Sequence, residues 1–392
     1  MAPVYLDCNA STPIEPEVLQ SLVGALREVG NPHADHGHGR AQRERLEAAR
    51  HAVAAAFGRA APLVSFTSGA TESIDLAHGG LRDHLKRMER RHIVTTAVEH
   101  RAVASAVERL RQGGFEVSVV GCDAQGRVDA AELLDRVRAD TGLVSMMHVN
   151  NETGAVLPIA QVARGLVGHE AYLHVDASQS AGKLQAPLTD SRLDLISLSG
   201  HKLHAPVGIG ALVLSERAAA ALTPRLTGAF ASDPRRPGTP SAPLAEALAV
   251  ALRLAARDGD ARRAVWERHR QGVLRTVAAL GARVVGPDDG LANVVSVELP
   301  GLDAEVARML VADLVEVGTG SACHASRAPS HVLLAMGRSA RQAACVLRFS
   351  WCHLTPDVPW EEVVQRLGPH CVVDDSQRGR LASARRVAQV GV

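Results

Sequence analysis

Over its first 215 residues the chain alternates short apolar, β-branched runs with stretches of helical spacing, and this alternation restricts the fold more than any other feature. The runs are LVSFT (63–67), HIVTTA (92–97), EVSVVG (116–121), LVSMMHVN (143–150), AYLHVDA (171–177), LDLISLS (193–199) and IGALVL (209–214). Each has the length of a strand. Several are apolar on both faces, which a strand tolerates when helices cover both sides of its sheet. Helical stretches such as AVASAVERLRQ (102–112) fall between them. Strand and helix in repeated succession predict an α/β, doubly wound, mostly parallel sheet. No internal repeat is visible.

From about residue 242 the pattern changes. Residues 242–280 have helical spacing, with a break expected at Asp258-Gly259, and could link two lobes. NVVSVELPGLDAEVARMLVADL (293–314), CVLRFSW (345–351) and PWEEVVQRL (359–367) then read as strand and helix, strand, and short helix. This is a smaller α+β unit. The predicted division is a large domain at 14–250 and a small one made of 1–13 with 251–392. The tail from about Pro369 has no clear period and is expected to be partly disordered.

Charge and cysteine content exclude several functions. With 43 basic and 42 acidic residues the net charge is +1, so no nucleic-acid partner is expected. The apolar runs are too short to cross a bilayer, and MAPVYLDCNA has no basic stretch before an apolar core. A soluble cytoplasmic protein without a membrane partner is expected. Six cysteines (8, 122, 323, 345, 352, 371), none in a Cys-x-x-Cys pair, do not make a disulfide framework or a zinc knuckle. His33, His36 and His38 lack a Cys or carboxylate at ligand spacing and read as polar side chains of a Gly-rich loop, so no metal is expected.

Four stretches carry chemistry. HVDASQSAGK puts Asp176 and Gln179 directly after an apolar strand, at the edge where open α/β sheets bind ligands. DLISLSGHKLHAP ends the next strand with Ser199, His201 and Lys202. Burial there would lower the lysine's pKa and suit it to Schiff-base chemistry, although Lys202 taken alone reads more simply as a solvated loop lysine. SFTSGATES offers small residues and Thr71 at a helix N-terminus, an anion site. AVEHRAV sets His100 just after a strand, either as a core or surface histidine or as a ring that stacks on a flat cofactor. Phosphate cradle, stacking ring, acid and lysine are together the parts of a pyridoxal-phosphate site. The loop TGSACHASRAPSH (319–331) adds Cys323, either an inert small apolar side chain in a turn or a nucleophile whose thiolate the neighbouring His324 and Arg327 would favour.

With these blocks in view the chain resembles the cysteine desulfurases of the class V aminotransferase group, pyridoxal-phosphate enzymes of fold type I. The likeness runs from YLDCNASTP to LRFSWCHLT through NPHADHGHG, FTSGATES, EHRAV, HVNNETGAV, HVDASQSAGK, SLSGHKLHAP, RRPGT, GSACHAS and PSHVLLAMG, in that order. The resemblance implies a mostly parallel seven-stranded sheet in a large domain, with a smaller α+β C-terminal domain. It implies that Lys202 holds the cofactor's aldehyde, Asp176 its pyridine nitrogen and Gln179 its phenolic oxygen. His100 would stack on the ring and take part in catalysis. Ala70, Thr71, Ser199 and His201 would hold the phosphate, and Thr239 would reach the phosphate of the partner subunit in a homodimer. Asn151 and Arg348 would take the carboxylate of L-cysteine, with Asn9 nearby. Cys323 would accept the sulfur as a persulfide, releasing L-alanine, and pass it to a sulfur-acceptor protein.

The likeness has departures. Between Cys323 and Pro329 the loop is one residue shorter than is common, Ala328 replaces the usual acid, and Ala205 and Val207 stand where Gly and Lys are frequent. TGAFASDPRRPGT also lacks the usual Gly-rich approach. These differences suggest a donor dedicated to one thiolation pathway. Alternatives within the fold are a selenocysteine lyase or another class V lyase or aminotransferase. A loop thiol is superfluous for plain transamination or lyase chemistry. A non-catalytic sulfur-pathway scaffold is the alternative of another class, and it would not need Lys202, Asp176, His100 and Arg348 together.

Overall fold

The computed structural model describes residues 2–228, 232–319 and 329–371. Its strands in chain order are β1 (Val4–Leu6), β2 (Val64–Thr67), β3 (His92–Thr96), β4 (Glu116–Val120), β5 (Thr141–Met147), β6 (Tyr172–Asp176), β7 (Leu195–Ser199), β8 (Gly210–Leu214), β9 (Arg283–Val285), β10 (Val294–Glu298), β11 (Val315–Val317) and β12 (Val346–Ser350).

All seven sequence-predicted runs enter one sheet in the order β2-β8-β7-β6-β5-β3-β4. β8 is antiparallel to both neighbours, and the other pairs are parallel. β3, β5, β6, β7 and β8 are buried at every position. That is the reason their sequences carry apolar residues on both faces rather than alternating strictly. The helix Arg101–Gln112 shows the complementary pattern: it buries Val103, Ala106, Val107 and Leu110, one stripe at helical spacing.

The helix Ala242–Leu280 is continuous, contrary to the expected break at Asp258-Gly259. A glycine inside a helix costs about 1 kcal/mol relative to alanine. Against this stand Leu248, Leu252 and Leu254 on one side of Gly259 and Trp266, Val273 and Leu280 on the other, all buried. Each such side chain contributes about 1.5–3 kcal/mol, so burial outweighs the local preference. The helix begins where Ser241 Oγ accepts from the Leu244 N–H, and it ends at Gly281, which takes a left-handed φ of 64°.

The smaller lobe holds an antiparallel sheet, β12-β10-β9, and a parallel pair, β1-β11. The N-terminal strand therefore pairs with residues 315–317 of the C-terminal lobe. Residues 7–11 continue from β1 into the large sheet's edge, and Asp7 bridges Ser350 at the end of β12. Among the described residues no helix is long and apolar enough to cross a membrane. The tail expected to be partly disordered lies, beyond residue 371, outside the described residues.

Candidate active site

Parallel strands end at one edge, and all four chemical stretches meet there. Asp176 is the last residue of β6 and Ser199 the last of β7. Lys202 follows on a single 3₁₀ turn, Gly200–Lys202. The helix Ala70–Arg87, which follows β2, points its N-terminus at the same place. A cavity of about 330 Å³ is lined by Ala70, Thr71, His100, Asn151, Asp176, Gln179, Ser199, His201 and Lys202. Nine of the sequence-predicted residues thus share one pocket.

The helix N-terminus reaches the pocket because Gly210 opens β8. A Cβ at Gly210 would lie 2.6 Å from Gly69 Cα and 2.5 Å from Leu198 O. Only a residue without a side chain lets β8 pass so close beneath the turn at Gly69. In that first turn Glu72 accepts from the Ser68 N–H at 2.6 Å and from Arg236 Nε at 2.9 Å. Burial pushes the Glu72 carboxyl up, but these hydrogen bonds outweigh it and hold the group below its ordinary value.

Lys202 Nζ donates to two backbone oxygens, Asn9 O at 2.5 Å and Ala10 O at 2.8 Å. Burial, followed by the nearby cations Arg348 and Lys183, pushes its pKa down to about 8. Asp176 is 5 % exposed and takes the Ser178 N–H and Oγ–H on one oxygen, Oδ1. Gln179 Nε2 donates to Asn9 O at 3.0 Å, and Gln179 Oε1 accepts from Lys183 Nζ at 3.3 Å. His100 caps the helix Arg101–Gln112, its Nδ1 accepting from the Ala102 N–H at 3.1 Å. Enclosure by the pocket walls lowers the His100 pKa, so its ring is uncharged at neutral pH. His201 is driven to about 4 by burial and by Lys202.

Asn9 and Arg348 stand behind this lining. Asn9 Nδ2 donates to Asn151 O at 3.0 Å, and Arg348 Nη1 donates to the same oxygen at 3.2 Å. Arg348 is 1 % exposed and its Nη2 lies 2.5 Å from Asp7 Oδ1. Thr239 is exposed and is not among the pocket-lining residues of its own chain. Cys323, with His324 and Arg327, lies outside the described residues. His36 of the histidine cluster caps the helix Gly37–Ala56 by accepting from the Gly39 N–H.

Sequence reasoning missed Asp7, Lys183 and Glu99. Asp7 and Lys183 fall inside the quoted blocks YLDCNASTP and HVDASQSAGK, but neither has a spacing that marks a role. Glu99 sits directly before His100. Burial pushes its carboxyl up to about 8 despite hydrogen bonds from Thr96 Oγ1 and the Met147 N–H, so it is a neutral acid at pH 7.

A half-buried lysine and a buried carboxylate at adjacent strand ends, facing a helix N-terminus across one cavity, define an α/β enzyme built around an anionic ligand that a lysine can hold covalently. A family model described as "Aminotransferase class-V" matches residues 4–363. A putative cysteine desulfurase of Bacillus subtilis is 36% identical over 359 residues, covering 90% of this chain and 94% of that protein. The mitochondrial cysteine desulfurase of Saccharomyces cerevisiae is 34% identical, covering 88% of this chain and 70% of that protein. Among solved structures, a NifS-like protein superposes with a TM-score of 0.87 at 30% identity, covering 94% of this chain and 99% of that one. DndA from Streptomyces lividans gives 0.77 at 34% identity, covering 86% and 97%. The chain belongs to the class V aminotransferase family, within its cysteine desulfurases.

Proposed function

We propose that this enzyme converts L-cysteine to L-alanine with Cys323 as the sulfur acceptor, using pyridoxal 5'-phosphate held in the pocket described above. The observation that carries this reading is the Lys202 amine in the same cavity as the Asp176 carboxylate. The donor set fits the cofactor. Ala70 and Thr71 at the start of an 18-residue helix, with Ser199 and His201, would hold its phosphate. Asp176 would pair with the pyridine nitrogen through the oxygen that Ser178 leaves open, Gln179 would bond the phenolic oxygen, and the uncharged His100 ring would stack. When bound, the cofactor supplies an electron sink for the substrate's Cα carbanion.

The chain's own groups supply the rest. Lys202, neutral above about pH 8, takes the substrate's Cα proton on Nζ and returns it on the path to alanine. Arg348 and Asn151 hold the substrate carboxylate, with Asn9 beside them. The Cys323 thiolate attacks the substrate sulfur. A sulfur–sulfur bond forms as the carbon–sulfur bond breaks, the electron pair stays with the carbon skeleton, and alanine leaves. Both described flanks of residues 320–328 end beside this site. Gly318 exchanges two backbone hydrogen bonds with Arg348, and Ser330 Oγ donates to Glu152 at 2.5 Å, next to Asn151.

The same reading assigns Thr239 to the phosphate of a partner subunit in a homodimer, a sulfur-acceptor protein as the next partner, and a cytoplasmic location. The solved structure of SspA, 29% identical with a TM-score of 0.79, is a complex with cysteine, which suits L-cysteine as the substrate. The division into 14–250 and 1–13 with 251–392 draws support from the β1-β11 pairing. The deciding experiment is Cys323→Ser. The variant should keep the visible absorbance of the bound cofactor and its response to cysteine, while alanine release falls by orders of magnitude. Mass spectrometry of wild type after one turnover should find a reducible extra sulfur on the Cys323 peptide. Alanine release at the wild-type rate, or the sulfur on Cys345 or Cys352, would sink the mechanism. Sedimentation should give a dimer at micromolar concentration.

A further inference from the structure

We infer that Asp7 is a positioning residue for substrate recognition: it fixes the Arg348 guanidinium in the orientation that receives the substrate carboxylate. The inference rests on the reading that Arg348 takes that carboxylate. Arg348 is almost completely buried, and two anchors define the plane of its fork. Nη2 is 2.5 Å from Asp7 Oδ1, and Nη1 donates to Asn151 O at 3.2 Å. Its Nε is buried without a partner. A guanidinium carries five N–H donors, so with Nε buried the two anchors leave one N–H on each of Nη1 and Nη2 for a ligand. Asn151 lines the cavity, so its contact with Nη1 places the guanidinium directly behind the pocket wall.

Asp7 is itself held from several directions. Tyr5 Oη donates to Asp7 O at 2.9 Å and to Ser11 O at 3.0 Å, and Ala10 N donates to Asp7 O at 2.9 Å. Asp7 also bridges Ser350, two residues after Arg348. The ion pair packs against the backbone at Gly318, where a Cβ would lie 2.7 Å from Asp7 Oδ1 and 3.0 Å from Arg348 Nη2. Gly318 stands five positions before Cys323 in the sequence. One carboxylate thus sets the arginine against the strand that leads to the sulfur-accepting cysteine.

Losing Asp7 has two opposed consequences. A negative charge beside the substrate carboxylate disappears, which favours binding, and the buried guanidinium loses its orientation, which disfavours it. Misplacing a reacting or binding group by about 1 Å costs on the order of 10²-fold. The repulsion is smaller, because Arg348 screens one carboxylate from the other. Orientation therefore decides the sign.

The test compares L-alanine with ethylamine on the holoenzyme, by the change each causes in visible absorbance. The two ligands differ in the carboxylate and donate no sulfur. Wild type should prefer alanine. In Asp7→Asn alanine binding should weaken by about tenfold or more while ethylamine binding stays within about twofold. Gly318→Ala, which pushes on the pair without touching its charge, should shift the preference the same way and serves if Asp7→Asn does not fold. An unchanged alanine preference in the folded variant overturns the assignment. So does tighter alanine binding, which would make Asp7 a competitor for the guanidinium, or equal weakening of both ligands, which would make it a merely structural residue. If wild type itself shows no preference for alanine, the carboxylate reading of Arg348 fails first.

Discussion

The two walls of the pocket are built by different means. The wall proposed to face the cofactor is the edge of the seven-stranded sheet, where parallel neighbours set Asp176 opposite Ser197 and Lys202 follows within three residues of a strand end. The wall that faces the substrate has no such lattice. Asp7, Asn9, Asn151 and Arg348 are joined by hydrogen bonds between segments as many as 341 positions apart in the chain. The first wall rests on backbone ladders that side-chain changes barely disturb. The second depends on individual side chains, so single substitutions should change what it binds while leaving the fold intact.

Lys202→Ala should have the largest effect, removing the chemistry of the first wall while leaving its ladders in place. The expected outcome is loss of the visible cofactor band and of all turnover, and retention of the wild-type band after hydroxylamine treatment and reconstitution would contradict the assignment. On the second wall, Arg348→Ala should leave that band in place while cysteine binding weakens. Removing one partner of a buried charge pair costs about 2–5 kcal/mol, read here as a rise in KM. A variant that loses its cofactor would show that the two walls are not separable.

The pH dependence of Lys202 sharpens the contrast. Its pKa in the fold, about 8, lies below the ordinary lysine value of 10.5, so between these values the folded protein binds fewer protons than the unfolded chain. The contribution of this group to stability therefore rises with pH through about 8 to 10.5 and is unfavourable below. For the same reason cofactor-free protein should take up pyridoxal phosphate faster as pH rises, with a midpoint near 8. A midpoint near 10.5 would mean that the lysine is solvated. The smallest effect belongs to Gly210→Ala. Overpacking against Gly69 should cost about 1–3 kcal/mol of stability and loosen cofactor retention, measured by thermal melts with and without added pyridoxal phosphate.

This division also explains what could be read in the sequence. Six of the seven strands were legible because burial on both faces forces an apolar run, and the exposed edge strand β4 was legible from its valines; Asp176, Ser199 and Lys202 were legible because they end or closely follow such runs. The expectation of a break at Asp258-Gly259 failed because local preference there is outweighed by burial at distant positions of the same helix. Asp7 was passed over for a related reason: an aspartate after a short strand is ordinary, and its meaning comes from Arg348, far along the chain. The pairing of Lys202 with the carbonyls of Asn9 and Ala10 is equally invisible, since backbone oxygens leave no trace in residue identity.

The β1-β11 pair has a consequence for how the enzyme is made. Val4 is synthesised 311 positions before its partner Val315. At 5–20 residues per second, that interval is about 15–60 s on a ribosome. Throughout it the segment that presents Asn9 and Ala10 to Lys202 has no strand to dock on, although every strand of the large sheet has been made once Leu214 is reached. A nascent chain arrested before residue 315 should therefore resist proteolysis in the large sheet while residues 2–12 remain cleavable.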